Sequence, residues 1–368
     1  MAVYYILISV LAGLGYIFTE KKQNAKAAAT YLSVAFLCLV FIASFRYAIG
    51  FDYFSYRNIY QMTSGMSFSD ILNCYRYEPL FYLLCKIFSM HGLPFTFFLT
   101  CINCFFIFSA LWFIYRYCKI PWMGVYFFIT LQFLAYDMNL LRQSAALCFF
   151  MFAYPYLKNR KLVPYTLIML AGGLFHNSLW FVYPLYVLLP VKYSRKTALA
   201  VTGAAAAGYL MFDSVFENVV QYLPIKYVSY QYSYYWNASS FSYVILPLVY
   251  LVLIYLHRNM ISDPMKRCIY LNSAFYHFLV SLFITKHFIL ERFAIYPFVV
   301  SLAAIADITS CYQKNAGSDS RQARAFHFVR LQFLVFGAAY FLFAAARGFH
   351  NVYPYISLLS KSSAVPIP

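Results

Sequence analysis

Apolar runs long enough to cross a membrane recur along the chain from one end to the other, separated by short gaps that contain Lys and Arg. Of the 368 residues, 63% are hydrophobic and 11% are charged, whereas soluble domains average about 25% charged and about 45–50% apolar residues. The core of a soluble domain cannot absorb this excess, and no polar block is long enough for a separate soluble domain. We therefore expect an all-α, polytopic integral membrane protein with a single transmembrane domain over residues 1–368.

The apolar runs predict about twelve transmembrane helices, within a range of 10–14. Several runs are short for a bilayer core of about 30 Å, so some helices must extend into the neighbouring gaps. The predicted spans are 3–18, 29–45, 94–115, 121–136, 140–157, 163–176, 178–191, 197–212, 241–257, 268–288, 292–310 and 329–346.

One further apolar segment, Pro79–Met90, is shorter than a membrane span and contains Lys86. The residues before it are expected outside and the basic residues after span 94–115 inside, so residues 79–115 must cross an odd number of times. They are too few for three crossings. The segment near 79–90 is therefore predicted to be a re-entrant or interfacial helix.

The distribution of charge predicts the orientation in the membrane. With the N-terminus outside, eighteen of the 28 Lys and Arg residues fall in inner gaps, and seven of the eleven acids fall outside, as the positive-inside rule requires. The net charge of +17 therefore reflects topology and not nucleic-acid binding, which it would suggest in a soluble protein. No basic region precedes the first apolar run, so this run is predicted to be a helix and not a cleavable signal.

The longest outer segments are predicted at about 46–78 and 213–240. The second is rich in aromatic residues, which favour either an interfacial girdle or a platform on which sugar rings stack. These aromatic residues are Tyr222, Tyr227, Tyr230, Tyr232, Tyr234, Tyr235 and Trp236.

Cys101 and Cys104 form a C-x-x-C, but the pair lies within an apolar helix and no second pair accompanies it. Small core residues explain it better than a zinc or redox site. We predict no metal and no cofactor.

Charged and hydrogen-bonding residues collect at the predicted outer ends of the helices. Arg142 interrupts a long apolar run, and an arginine costs roughly 2.5–3.5 kcal/mol at mid-bilayer. Each residue alone has an ordinary explanation, such as a snorkelling arginine or a helix cap. Together, six stretches at similar depth favour a shared outward-facing polar cavity. They are Arg46–Tyr56, Glu78–Phe81, Asn139–Gln143, His176–Ser178, Lys286–Arg292 and Arg347–His350.

The order and spacing of four of these motifs resemble those of the EpsG family, from roughly residue 30 to residue 190. Beyond residue 190 the resemblance is weaker. The motifs are R-x-x-x-G-x-D-x-x-x-Y at Arg46, Gly50, Asp52 and Tyr56; E-P-x-F at Glu78, Pro79 and Phe81; N-x-x-R-Q-x-x-A at Asn139, Arg142, Gln143 and Ala146; and H-x-S at His176 and Ser178.

The resemblance implies a Wzy-type polymerase of bacterial exopolysaccharide, capsule or O-antigen. Such an enzyme joins oligosaccharide repeat units carried on undecaprenyl diphosphate, at the outer face of the cytoplasmic membrane. Its partners would be the lipid-linked donor and acceptor, membrane lipid, and the flippase and chain-length regulator of the same pathway. No nucleic acid is implied.

The predicted chemistry assigns a role to each candidate residue. Arginine binds phosphate oxygens bidentately and stays charged, so it suits the leaving diphosphate without a metal, in keeping with the absence of a D-x-D motif. A carboxylate or histidine would accept the proton of the attacking hydroxyl. The phosphate-binding candidates are Arg142, Arg46 and Arg292, the catalytic candidates are Asp52, Glu78 and His176, and the positioning candidates are Asn139, Gln143, Ser178 and Tyr56.

Two other functions remain open at this point. A transporter or flippase of lipid-linked glycan needs polar groups along a path open to both sides, whereas the charges here cluster near the outer ends. A membrane acyltransferase would be expected to centre on a His or His-Asp pair with its own surroundings, which His176-Asn177-Ser178 alone does not supply.

Overall fold

The computed structural model describes residues 1–22, 24–75, 78–220, 240–316 and 319–360, and every regular element in these ranges is a helix. In chain order the α-helices are α1 Ala2–Gly15, α2 Ala25–Ser44, α3 Tyr53–Gly65, α4 Phe68–Cys74, α5 Pro79–Met90, α6 Phe95–Tyr117, α7 Pro121–Thr130, α8 Phe133–Asn139, α9 Leu141–Lys158, α10 Leu162–Gly173, α11 Ser178–Phe181, α12 Leu185–Leu188, α13 Arg195–Val220, α14 Ser242–His257, α15 Pro264–Ile284, α16 Glu291–Phe298, α17 Ser301–Asn315 and α18 Ser320–Ala346.

Within the described residues, eight helical stretches are long and apolar enough to cross a membrane. This confirms the prediction of an all-α, polytopic membrane protein. The stretches are Ala2–Lys21, Ala25–Ser44, Phe95–Tyr117, Lys196–Phe216, Ser242–Met260, Pro264–Ile284, Phe288–Asn315 and Ser320–Ala346.

Of the four remaining predicted spans, between residues 121 and 191, span 140–157 is matched by α9, which has 18 residues, and the other three correspond to shorter helices. Span 121–136 is divided into α7 and α8 because Gln132 adopts a left-handed conformation (φ 72°), and span 178–191 contains only the single turns α11 and α12. All residues of α8 are buried. A break in a helix at membrane depth is tolerated where protein surrounds it, and this burial meets that condition.

The segment predicted as an outer loop over 46–78 is largely helical. Residues 53–65 form α3, whose composition is close to neutral in hydropathy, and Ser67 and Asp70 form a capping box that begins α4. The predicted short helix over 79–90 is observed as α5, which packs against α3. Of the outer segment 213–240, residues up to 220 continue α13, and the tyrosine-rich part lies outside the described residues.

The chain divides into two compact units. The first contains residues 1–156, 161–180 and 302–368, and the second contains residues 157–160 and 181–301. In the first unit α1 packs against α7, α2 against α6, and α18 against α7; in the second unit α15 packs against α14 and α16.

Close helix packing in the first unit depends on small residues. At Gly15 an added Cβ would lie 2.2 Å from the Trp122 Cβ and 2.8 Å from the Tyr31 ring. At Gly337 it would lie 2.8 Å from the Tyr126 ring. Van der Waals packing through small residues is the main way in which helices associate in lipid, so these glycines fix the arrangement that carries the polar groups below.

Candidate functional site

An ion pair between Arg142 and Glu78 lies at the centre of the polar group in the first unit. Arg142 is the second residue of α9, and Glu78 directly precedes Pro79, the first residue of α5. Their Nη1 and Oε2 atoms are 2.7 Å apart, and the side chains are 19% and 5% exposed. A charge-assisted bond of this length in a partly buried place fixes both side chains.

Three tyrosines complete the surroundings of the Arg142 guanidinium. Its Nη1 also donates to the Tyr82 hydroxyl at 3.1 Å, and the Tyr56 hydroxyl forms a further hydrogen bond with the guanidinium. The Tyr75 ring stacks on the Tyr82 ring with centroids 3.6 Å apart and nearly parallel planes. Burial raises the pKa of Tyr56 to about 12 although Arg142 opposes this, so its hydroxyl stays protonated at neutral pH.

The turn between α10 and α11 holds the start of α5 and therefore the Glu78 carboxylate. The Asn177 backbone N–H donates to Glu78 Oε1 at 3.1 Å, and the Leu80 N–H donates to the Leu174 carbonyl at 3.2 Å. In the same turn His176 Nδ1 and Ser178 Oγ are 2.6 Å apart. Both Glu78 oxygens are thus engaged, one by a charge and one by a backbone amide.

Asp52 reaches the same region from the loop before α3. It is the N-cap of α3 without a side-chain capping bond, and it is partly exposed. Its backbone N–H donates to Asn139 Oδ1 at 3.1 Å. Tyr56, one helical turn later, lies near both the Asp52 carboxylate and Arg142. The accessible carboxylate and the paired arginine are therefore linked through a single tyrosine.

Gly50 allows this loop to approach the end of α8. Its φ of 93° lies in a region that L side chains rarely adopt, and an added Cβ would lie 2.6 Å from the Met138 carbonyl oxygen. The backbone conformation and this close contact therefore explain why a glycine occupies this position of the first motif.

Arg46 is placed differently from Arg142. It is 1% exposed and donates to the Ala43 carbonyl, and Asp137 and the Tyr4 and Tyr355 rings are its charged and polar neighbours. Both Asp137 oxygens are buried with no hydrogen-bond partner in the described part of the chain. The Arg46 charge thus lies inside the protein beneath the loop.

The other predicted positioning residues are mostly internal. Asn139 and Gln143 are 3% and 2% exposed. The Asn139 amide forms hydrogen bonds with the Asp52 backbone N–H and with His350. Ser178 is committed to His176. These residues shape the region, whereas Asp52 and Arg142 keep surface open to it.

Arg292 lies in the second unit, in the first turn of α16 beside Glu291. It is therefore not among the residues that the first unit brings together. In the second unit Lys286 Nζ lies 2.6 Å from Asp213 Oδ2, and this hydrogen bond raises the pKa of Lys286.

Tyr82, Tyr75, Asn177 and His350 were given no role from the sequence, although Asn177 and His350 lie in two of the six polar stretches. Tyr82 follows Glu78 by four residues, so helical spacing places it on the same face and could have indicated it. The Asn177 contact uses only a backbone N–H and leaves no trace in residue type.

The described residues contain no cluster of three or more His, Cys, Asp or Glu side chains that could hold a metal ion. What the group offers is an oriented guanidinium, a partly exposed carboxylate and aromatic rings. A guanidinium stabilises developing negative charge, a carboxylate accepts a proton, and aromatic rings stack on sugars.

Comparison with known proteins gives one assignment. No curated protein and no solved structure matches the chain significantly. A family model described as the EpsG family matches residues 29–357. This match covers nearly the whole chain, including the weaker region beyond residue 190 and all the site residues described above, and so the protein belongs to the EpsG family.

Proposed function

We propose that the protein is a polysaccharide polymerase that joins oligosaccharide repeat units carried on undecaprenyl diphosphate, in the synthesis of an exopolysaccharide, capsule or O-antigen. Membership of the EpsG family supports a polymerase-like role in exopolysaccharide synthesis. The observation that carries the finer proposal is the Arg142 guanidinium, fixed by Glu78 and tyrosines beside the partly exposed Asp52.

The reaction is a displacement at the anomeric carbon of the donor. A hydroxyl oxygen of the acceptor unit forms a bond to this carbon while the bond to the diphosphate oxygen breaks. Undecaprenyl diphosphate leaves with the electron pair, and Arg142 stabilises the charge that develops on it. Preorganised donors contribute most where charge develops in the transition state, and the Arg142 guanidinium is preorganised by its bond to Glu78.

Asp52 is the proposed proton acceptor. Glu78 is 4% exposed, and its oxygens are engaged by Arg142 and by the Asn177 N–H, so it is better suited to orient Arg142. His176 bonds to Ser178 within its own turn, which supports a role in holding that turn. Asp52 is partly exposed at the start of α3, so an acceptor hydroxyl can reach its carboxylate, and a carboxylate is a suitable proton acceptor.

The acceptor and donor sugars would stack on aromatic rings near this group. The Tyr75–Tyr82 pair presents a stacked aromatic surface against Arg142, and Phe51 beside Asp52 is 67% exposed. Arg292 and Arg46 remain predicted contributors to diphosphate binding.

We place the reaction at the outer face of the bacterial cytoplasmic membrane. The support is the asymmetry of Lys and Arg between the predicted inner and outer gaps. The flippase and chain-length regulator of the same pathway are the proposed protein partners.

The test supplies the purified protein with lipid-linked repeat units and looks for a ladder of longer products. Arg142→Ala should lower the rate by about 10²–10³-fold, the usual effect of removing one charge-stabilising donor. Arg142→Lys should not restore it, because an ammonium cannot reproduce the forked contacts. Arg57→Ala, at a partly exposed arginine of α3, is the matched control and should keep the ladder.

A protein that moves the lipid-linked unit across a vesicle membrane without forming new glycosidic bonds would be a flippase. A ladder that is unchanged in Arg142→Ala would contradict the role of Arg142 while leaving polymerase activity established.

A further inference from the structure

The segment that follows α18, residues 347–358, runs beside the loop that carries Asp52, residues 45–52. These two parts of the chain are distant in the sequence, yet three backbone hydrogen bonds join them and Arg46 forms a β-bridge with Ser357. The bonds run from the Leu358 N–H to the Phe45 carbonyl (2.8 Å), from the Tyr47 N–H to the Ile356 carbonyl (3.0 Å) and from the Gly50 N–H to the Asn351 carbonyl (3.1 Å).

Side chains anchor the same segment to the helices around it. The Tyr353 hydroxyl donates to Gln132 Oε1 at 2.6 Å, where α7 breaks into α8. The segment is also bonded to α1 and α2: the Tyr4 hydroxyl donates to the Val352 carbonyl at 3.0 Å, and the Tyr355 hydroxyl donates to the Ile42 carbonyl at 3.0 Å. The segment is therefore a built part of the first unit, and through it the Asp52 loop is attached to three helices.

The His350 side chain of this segment is linked to the Asp52 backbone by the Asn139 amide, which contacts both. The Asp52 N–H can only donate, so the Asn139 atom that it contacts at 3.1 Å is the carbonyl oxygen. The other end of the amide is then the NH2 group, which donates to His350 Nδ1 at 2.9 Å. His350 Nδ1 is consequently an acceptor, and the neutral ring carries its proton on Nε2.

Within the described residues, the second ring nitrogen of His350, Nε2, forms no hydrogen bond. The residue is 6% exposed, and Nε2 itself is buried. Its backbone and that of Asn351 adopt left-handed conformations (φ 56° and 53°), which are uncommon for residues other than glycine. Burying the Nε2–H without a partner costs free energy that an apolar side chain at this position would avoid. The hydrogen bond between His350 Nδ1 and Asn139 is therefore what a histidine provides here and an apolar side chain does not.

We propose that His350 is a positioning residue for the transfer reaction: by accepting a hydrogen bond from Asn139, it holds the Asp52 loop in the orientation that presents Asp52. The importance of this orientation for catalysis rests on the proposed function, whereas the restraint of the loop does not.

The restraint is tested by a nitroxide spin label at position 51, next to Asp52. Phe51 is exposed, so Phe51→Cys carries the label. The background replaces the exposed and partly exposed cysteines by serine, which leaves only buried ones. The replaced cysteines are Cys38, Cys74, Cys101, Cys104, Cys268 and Cys311. Three variants of His350 are compared by the mobility of this label. His350→Asn keeps a hydrogen-bonding atom at the Nδ1 position, His350→Gly accepts the left-handed backbone without the bond, and His350→Leu removes the bond and keeps bulk.

The expected result is that His350→Asn keeps the immobile spectrum of the parent, while His350→Gly and His350→Leu give a mobile component. Equal mobility in all four proteins would overturn the inference. Asn and Gly both tolerate the left-handed backbone, so a Gly variant as immobile as the Asn variant would show that the bond is not needed and would also overturn it.

The link to catalysis is tested by the product ladder with unlabelled, full-length protein. His350→Gly and His350→Leu should lower turnover by about 10²-fold, since small misplacements of a catalytic group have effects of this size, and His350→Asn should recover most of it. If the label becomes mobile while turnover is unchanged, the restraint is real and the role of Asp52 is wrong. If the parent protein makes no ladder, the proposed function fails and the mobility result still decides the restraint.

Discussion

The two carboxylates near Arg142 differ in their exposure to solvent. Glu78 is buried and bonded to Arg142 and to the Asn177 N–H, whereas Asp52 is partly exposed at the start of α3. Isosteric amides separate their roles, because an amide keeps the shape of the side chain and removes its charge and its basicity.

Glu78→Gln should destabilise the protein by up to about 3 kcal/mol, because the partly buried Arg142 loses its counter-charge. Asp52→Asn should lower turnover by about 10²–10⁴-fold, as expected on removing a general base. The melting temperature and the product ladder measure the two effects. The opposite pattern, with full activity in Asp52→Asn and an inactive but stable Glu78→Gln, would make Glu78 the base.

Gly50 should not tolerate a side chain. Gly50→Ala forces a residue with a Cβ into φ 93° and places that atom 2.6 Å from the Met138 carbonyl oxygen, so we expect a loss of about 1–3 kcal/mol from strain and a loss of the ladder. Gly92→Ala has a positive φ with open space, and Gly65→Ala has open space in α3. Comparing the thermal unfolding of the three variants separates two effects. The steric collision is expected only in Gly50→Ala, whereas Gly50→Ala and Gly92→Ala share the strain of a positive φ. A Gly50→Ala protein no less stable than Gly92→Ala would exclude the collision.

At the scale of elements, the first unit depends on the close approach of α1 to α7. Below the contact at Gly15, Glu20 accepts a hydrogen bond from the Trp122 indole N–H at 2.6 Å and pairs with Arg330 at 3.0 Å. This joins the helical stretch Tyr16–Lys21 that continues α1, the start of α7 and the first half of α18. A shift of α1 against α7 would therefore disturb packing and a polar cluster together.

Gly15→Ala should destabilise the protein by about 1–3 kcal/mol, the usual penalty for overpacking. Gly13→Ala, two residues earlier on the same helix, meets nothing within 4 Å and should be neutral or slightly stabilising. The apparent melting temperatures of the two variants provide the comparison. Equal values would indicate that the helices separate there without loss.

For the whole molecule, the orientation in the membrane follows from charge and can be measured directly. Single cysteines at positions 70 and 213 should react with a membrane-impermeant thiol reagent from outside, and cysteines at 158 and 196 should react only after the membrane is opened. The reason is that the predicted inner gaps contain most of the Lys and Arg residues. The reverse labelling pattern would place the Arg142 group on the cytoplasmic side and contradict the proposed reaction at the outer face.

Residue types alone were enough to predict a helical membrane protein, because hydropathy follows directly from residue type and a lipid environment requires backbone groups to be bonded within each segment. The sequence also indicated Asp52, Glu78 and Arg142 as candidates, through unusual polar residues and the motif spacing. It did not separate 121–136 into α7 and α8, because the left-handed turn at Gln132 carries no glycine or proline signal.

Where the candidates lie and which groups they contact depends on the tertiary structure. Glu78 meets Arg142 across 64 positions and Asn139 meets His350 across 211, and such pairings depend on which helices pack together. Arg46 and Arg142 are alike in the sequence, each a cation at the end of an apolar run, yet one is enclosed beneath the Asp52 loop and the other lies beside it. The physical reason is that burial and hydrogen-bond partners arise from contacts distant in the chain, which no local pattern of residues contains.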